Sequence, residues 1–177
     1  MKNLIQGGTP VGFGDLIKWT YENTTYQVDA LTNTGFFNVN GGFITQSIYN
    51  KILKGETLNI KISYKSNNKN VLAGNMYINI YFTDGTNDMI LLPLDYKDIN
   101  IIKSNWITIK YDYITDEEKS IEYITVRVVG SNHNQLHITE IGMYYNGSSD
   151  LESSYNCNEF QDKVILYGLD KDKPKLR

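Results

Sequence analysis

The chain has 177 residues, of which 41% are hydrophobic and 21% charged, and its formal net charge is −3. This composition predicts a folded globular domain with a core of its own. The acidic balance leaves no basic surface to neutralise phosphates, and no stretch approaches the ~18 apolar residues that span a bilayer. We therefore expect neither nucleic acid nor a membrane as a partner.

The first fifty residues predict short strands separated by Asn and Gly turns. The candidate strands are LIKWTYE (16–22), TTYQVDAL (24–31) and GFFNVN (35–40). The segment QSIYNKIL (46–53) is compatible with one helical turn or with a loop. The N-terminus MKNLIQGGTPVGFG has no long apolar core, so we expect no secretion signal and synthesis in the host cytoplasm.

From residue 57 onwards, apolar and polar residues alternate with a period of two, which is typical of half-buried strands. Turn-forming sequences such as SNNKN and DGTND separate the alternating segments. Pro93 interrupts MILLPLDY and predicts an edge strand or a strand end. The five clearest segments are 57–65, 76–82, 105–113, 121–129 and 136–145.

Eight or more short strands without a helical period predict an all-β fold, an antiparallel β-sandwich of the jelly-roll type. We assign residues 1–147 to this domain and residues 148–177 to a short C-terminal extension. The extension carries an apolar run that either completes the sandwich or forms a docking arm by strand addition. The arm residues are Val164, Ile165, Leu166 and Tyr167.

Motifs for catalysis or metal binding are missing from the sequence. His133 and His137 lie in a turn and on a strand, not on one helical face, and no Gly-x-Ser-x-Gly occurs. The single cysteine, Cys157, forms no intramolecular disulfide. We expect a non-enzymatic protein without a cofactor or a metal site, although Asp84 and Asp88 leave a structural calcium possible.

Aromatic and polar side chains share the polar face of two predicted strands. Such a face has three open interpretations: ordinary half-exposed strand residues, a protein interface or a sugar-binding surface. Its candidate ligand-binding residues, for a glycan or a partner, are Tyr77, Asn79, Tyr81, Tyr123 and Arg127.

Several landmarks in order resemble one family over about residues 3–147. They are NLIQGGTP, GGFITQSIYNKILKGETLNIKISYKSN, INIYFTDGTND, WITIKYDYI and IEYITVRVVGSNHNQLHITEIGMYYNGS. This order is similar to the carbohydrate-binding-module-like jelly rolls of phage tails, baseplates and phage-tail-like bacteriocins. The resemblance implies a galactose-binding-like sandwich and a place in a virion or tail particle, extracellular after release.

The chain departs from that family where SSYNCNEFQDKVILYGL replaces the usual closing tryptophan-containing stretch. The departure favours an attachment tail. The sequence therefore predicts first a structural accessory protein of a phage or phage-tail-like particle, a decoration, tail or baseplate protein that contacts other particle proteins or itself. The alternative is a carbohydrate-binding domain that recognises host surface or cell-wall glycans.

Overall fold

The computed structural model describes residues 2–49, 52, 54–66, 72–94, 106–132 and 135–145. The C-terminal extension lies outside the described residues, with Val164, Ile165, Leu166 and Tyr167, and so does His133. One short helix and nine strands occur in the described part. They are β1 (Lys2–Asn3), α1 (Phe13–Leu16), β2 (Thr20–Asp29), β3 (Thr34–Ile48), β4 (Thr57–Ser66), β5 (Gly74–Phe82), β6 (Asn87–Leu94), β7 (Ile107–Ile114), β8 (Ile121–Gly130) and β9 (Leu136–Tyr145).

The strands form one continuous antiparallel sheet in the order β6-β5-β8-β3-β9-β4-β7, with β1 on β9 and β2 on β3. The long strand β3 joins its two halves. Residues Phe37–Val39 pair with β9, whereas Phe43–Ile48 pair with β8. The sheet thus has two parts: layer A, made of β6, β5, β8 and the end of β3, and layer B, made of β7, β4, β9 and the start of β3.

A corner in β2 and β3 folds the two layers over one core. Gly41 has a φ of +65°, and a Cβ on Gly42 would lie 1.9 Å from the carbonyl oxygen of Glu22. In the facing strand the register shifts between Glu22 and Thr24, where Asn23 has a φ of 45°. Glycine and asparagine tolerate this left-handed backbone better than other residues, so both strands can bend at the same place.

The core lies between the inner faces of the two layers. Every second residue of the central strands points into it, as the alternating sequence predicts. These side chains form one buried cluster that also includes Trp19. Its strand members with no exposed surface include Leu58, Ile60, Ile62, Tyr64, Met76, Ile78, Ile80, Ile124, Val126, Val128, Leu136, Ile138, Ile141 and Met143.

The predicted all-β sandwich is confirmed, and Pro93 lies in β6, at the end of the strand order. The first fifty residues differ from the prediction in three respects, the first being that segment 35–40 is the start of the fifteen-residue strand β3 and not a separate short strand. Segments 16–22 and 24–31 are not separate strands, because the bulge at Asn23 keeps β2 continuous from Thr20 to Asp29. The start of segment 46–53 is neither a helical turn nor a loop.

Residues Gln46–Ile48 extend β3, pairing with β8, and Ile48 is buried in the core. Tertiary pairing and burial outweigh the weak local preference of this polar sequence. The one helix of the described part, α1, has four residues, far fewer than a bilayer crossing requires.

Candidate functional site

All five predicted ligand-binding residues lie together on the outer face of layer A. The register places Tyr77 opposite Arg127, Asn79 opposite Thr125 and Tyr81 opposite Tyr123 across β5 and β8. The three tyrosines and Asn79 are half-buried, and Arg127 is exposed. We call this surface the tyrosine face; it comprises Tyr77, Asn79, Tyr81, Tyr123, Thr125 and Arg127 together with Phe43, Thr45 and Ser47 of β3 and with Tyr49, which directly follows β3.

Three tyrosines of this face, Tyr81, Tyr123 and Tyr49, form a row of neighbouring rings that we call the tyrosine row. The rings of Tyr81 and Tyr123 are stacked, with centroids 4.4 Å apart and planes at 17°. Tyr49 continues the row, with its centroid 5.5 Å from that of Tyr123 at 31°. Since a neighbouring ring covers each side of Tyr123, this residue offers its ring edge and hydroxyl to a ligand, whereas Tyr49 is 70% exposed.

The environment keeps the Tyr123 hydroxyl protonated. Desolvation raises the pKa of Tyr123, and the neighbouring Tyr81, Glu122 and Tyr49 raise it further. A phenol above its ordinary pKa remains a hydrogen-bond donor throughout the physiological range. Tyr123 therefore presents a neutral hydroxyl group that can both donate and accept.

Beside the tyrosine row, the tyrosine face carries a cation, Arg127, that lies over an aromatic ring. The guanidinium of Arg127 lies over the Phe43 ring, with 4.2 Å between its central carbon and the ring centroid. This cation–π contact holds the long side chain against the sheet while its N–H groups remain available. Nearby, Asn79 Nδ2 donates to Thr125 Oγ1 at 3.4 Å. The tyrosine face thus combines aromatic rings, which contact one another or Arg127, with amide, hydroxyl and guanidinium groups.

The sequence patterns did not predict the contribution of β3 and the residue after it to this face: Phe43, Thr45, Ser47 and Tyr49. Ser47 and Tyr49 were missed because segment 46–53 was interpreted as a helical turn or a loop, and Phe43 and Thr45 because they lie between segments 35–40 and 46–53, in no predicted strand. In the structure, Thr45 lies opposite Arg127 and Ser47 opposite Thr125. The alternation of Phe43, Thr45 and Ser47 is the signal that could have identified them.

A pocket of about 390 Å³ adjoins the β3 side of the tyrosine face. It is lined by Gln6, Ile17, Lys18, Trp19, Thr20, Thr45, Gln46 and Ser47. Gln46 fixes its inner wall, because Nε2 donates to the carbonyl oxygens of Gln6 and Lys18 at 3.1 Å each and Oε1 accepts from the Gln6 N–H at 2.9 Å. The pocket shares Thr45 and Ser47 with the tyrosine face.

Two lysines on the outer face of layer B are already paired with carboxylates. Lys61 and Lys65 form ion pairs with Glu140 and Asp29. Glu140 also accepts a hydrogen bond of 2.9 Å from Ser63. Such internally compensated groups stabilise the sheet and leave little binding capacity for a ligand.

His137 lies on a strand, β9, as predicted, where it is half-buried on the outer face of layer B. Its ring centroid is 4.5 Å from that of Phe36, and Lys65 Nζ lies 4.6 Å from the ring centroid of Trp106. Burial, followed by the charge of Lys65, lowers the pKa of His137 to about 4, against a smaller opposing effect of Asp29. The imidazole is therefore neutral at physiological pH.

The two carboxylates considered for calcium have different partners. Asp88 is buried and accepts a 3.0 Å hydrogen bond from the Tyr113 hydroxyl. Asp84 is exposed and binds Thr86 and Lys119. No group of three or more metal-ligating side chains occurs within the described residues.

No protein-family model and no curated protein sequence matches the chain. Solved structures match its fold. A family 16 carbohydrate-binding module superposes with a TM-score of 0.58 at 15% identity, covering 80% of this chain and 99% of that one. TmCBM61, solved in complex with β-1,4-galactotriose, has a TM-score of 0.52 at 11% identity, covering 82% and 99%.

The enzymatically active domain of tailspike protein 4 of bacteriophage CBA120 also matches. Its TM-score is 0.55 at 15% identity, and the match covers 81% of this chain but only 21% of the tailspike structure. At such low identities, these likenesses establish the fold. The chain has the jelly-roll, galactose-binding-like fold of carbohydrate-binding modules, which a phage tailspike domain shares, as the sequence resemblance implies.

Proposed function

We propose that this protein is a carbohydrate-binding module that binds a glycan on the tyrosine face. The observation that carries the proposal is the juxtaposition of the Tyr81–Tyr123–Tyr49 row with the amide of Asn79 and the held guanidinium of Arg127. Two of the structures that share its fold are carbohydrate-binding modules, which supports the same reading. The sequence predicts this function as the alternative to a structural accessory role.

The chemistry of the face suits a polyhydroxylated ligand. Sugar hydroxyls can donate to the Asn79 carbonyl oxygen and accept from Arg127, while phenol groups do both. Apolar C–H patches of a pyranose can pack on ring surface at the ends of the tyrosine row. Binding by these groups requires no covalent step, so we propose a non-catalytic role.

Glycan arrays and pulldown on insoluble cell-wall polysaccharide test this function. We expect the wild-type protein to bind at least one glycan and both Tyr81→Ala and Tyr123→Ala to weaken that binding at least about tenfold, because each removes a ring from the row. Tyr81→Phe keeps the ring and removes only the hydroxyl group, so it measures the contribution of the hydroxyl to binding. Lys110→Ala, on the outer face of layer B, is the control variant. Absence of glycan binding, or normal binding by both alanine variants, would overturn the proposal.

A second candidate is the structural accessory role in a phage or phage-tail-like particle. The tailspike domain that shares the fold supports it, as does the family resemblance of residues 3–147. In that setting the partners are other particle proteins or further copies of the chain, the location is the virion, and residues 148–177 form the attachment segment. Both functions are compatible if the module carries a particle to a host glycan.

Deletion of residues 148–177 tests the accessory role. We expect the truncated protein to keep the thermal unfolding of the body but to be lost from purified particles, measured by mass spectrometry. Normal incorporation of the truncated protein would contradict a docking role for the extension.

A further inference from the structure

The pocket beside the tyrosine face lies at one end of a continuous cross-strand row. Thr20 pairs with Thr45, Thr45 with Arg127, Arg127 with Tyr77 and Tyr77 with Leu91. Neighbouring strands lie about 4.8 Å apart, so a row across five strands measures about 19 Å. This length suits several linked sugar residues rather than one.

The two ends of this row differ. At the β2 end, Ile17 and Lys18 follow helix α1 and stand beside Thr20 as pocket walls. At the other end, β6 is the edge strand of layer A, and its residue Leu91 is 38% exposed. A linear ligand on the row would therefore meet a wall at one end and continue past the edge strand at the other.

Five uncharged polar side chains line the pocket beside Ile17 and Trp19, and its one charged lining residue has a counter-charge next to the pocket. Its cation, Lys18, forms a 2.8 Å ion pair with the buried carboxylate of Asp15. Asp15 is itself fixed, since its Oδ2 accepts from the N–H groups of Val11 at 2.9 Å and Gly12 at 3.3 Å. Exposed hydroxyls of Thr20 and Ser47 complete the rim.

We propose that this pocket is an end-recognising subsite that takes the terminal residue of a neutral glycan whose next residues lie along the tyrosine face. The inference rests on the proposed function and adds the ligand class, a linear glycan bound by its chain end. The volume of the pocket, about 390 Å³, lies near the lower limit of small-molecule sites, which is about 300–1,000 Å³. A pocket of this size fits a short terminal unit. The compensated charge of Lys18 disfavours an acidic terminal residue.

Pocket-filling variants test the subsite. The probes are xylo-, cello- and β-1,4-galacto-oligosaccharides of increasing length, measured by isothermal titration calorimetry. We expect Ser47→Trp and Thr20→Trp to lower the affinity at least about tenfold, because an indole occupies the space of the terminal residue. Ile114→Trp, at an exposed position of β7 in layer B outside the pocket and the tyrosine face, is the matched control and should remain within about threefold of wild type. Thermal unfolding shows that each variant is folded.

A second measurement uses the unmodified protein. Limited cleavage of the parent polysaccharide by an endo-hydrolase multiplies chain ends without changing the sugar composition. We expect the number of protein molecules bound per gram to rise with the number of ends. Unchanged capacity after cleavage, or wild-type affinity in both pocket variants, would overturn end recognition.

The outcomes distinguish this inference from the proposed function. Loss of binding in Tyr81→Ala together with normal binding in Ser47→Trp and Thr20→Trp would overturn only the subsite. Wild-type binding in both Tyr81→Ala and Tyr123→Ala, or no binding of any of the probes and array glycans by the wild-type protein, would overturn both proposals.

Discussion

The outer faces of the two layers contain similar residue types but use them differently. On layer B, the ammonium group of Lys61 pairs with Glu140, and their side chains are only 15% and 14% exposed. On the tyrosine face, the guanidinium of Arg127 lies on an aromatic ring, and none of the ion pairs among the described residues falls there. The difference teaches that the availability of polar groups, rather than their number, separates a binding surface from a stabilising one.

The corner that separates the two faces should be the most sensitive position. Gly42→Ala would place a Cβ 1.9 Å from the Glu22 carbonyl oxygen, so β2 and β3 must move apart. We expect a loss of at least about 3 kcal/mol in the free energy of unfolding, measured by chemical denaturation. Gly14→Ala is the control, since nothing lies within 4 Å of its added Cβ. Equal stabilities of the two variants would contradict the close approach of β2 and β3 at the corner.

Acid should lower the free energy of unfolding, because His137 in layer B must then become protonated. Its pKa is about 4 in the folded chain and about 6.5 when exposed, so the unfolded chain binds more protons between these values. Stability is complete above pH 6.5 and falls as the pH drops to 4, by at most about 3 kcal/mol. His137→Gln should remove this part of the pH dependence. The charged groups that face His137 are Lys65 and Asp29. The pKa of Asp29 in the folded chain is about 2, so Asp29 does not become protonated in the range from pH 6.5 to pH 4 in which His137 acts.

Breaking the ion pair of layer B should affect stability without affecting binding. Glu140→Gln removes the charge that faces Lys61 while retaining an acceptor for Ser63. We expect a loss of about 2 kcal/mol in stability, since one partially buried charge loses its counter-charge. Glycan affinity should be unchanged, and a large loss of affinity would instead place a ligand on layer B.

The smallest expected effect concerns the end of the tyrosine row. Tyr49 is 70% exposed and contacts Tyr123 on one side only. Tyr49→Ala should therefore weaken glycan binding by only about 1 kcal/mol and leave the unfolding temperature within experimental error. A larger effect on binding than that of Tyr81→Ala would place the centre of the site nearer β3.

The body of the fold could be predicted because strands such as β4 and β5 alternate regularly and bury one face. Tyr77, Asn79 and Tyr81 could likewise be placed on one face from their spacing. The stacking of Tyr81 on Tyr123 could not, because it depends on the register between β5 and β8, which no local pattern contains. The pocket was also hidden, since Thr20 is placed by its register with Thr45 and Gln6 by hydrogen bonds to Gln46, forty residues away in sequence.

The most direct test of the central claim is backbone and side-chain NMR during titration with a binding oligosaccharide. If the tyrosine face is the binding surface, the signals of Tyr77, Tyr81, Tyr123 and Arg127 should shift together at saturable concentrations, while those of Lys61 and Glu140 remain in place. Shifts confined to the outer face of layer B would contradict the account.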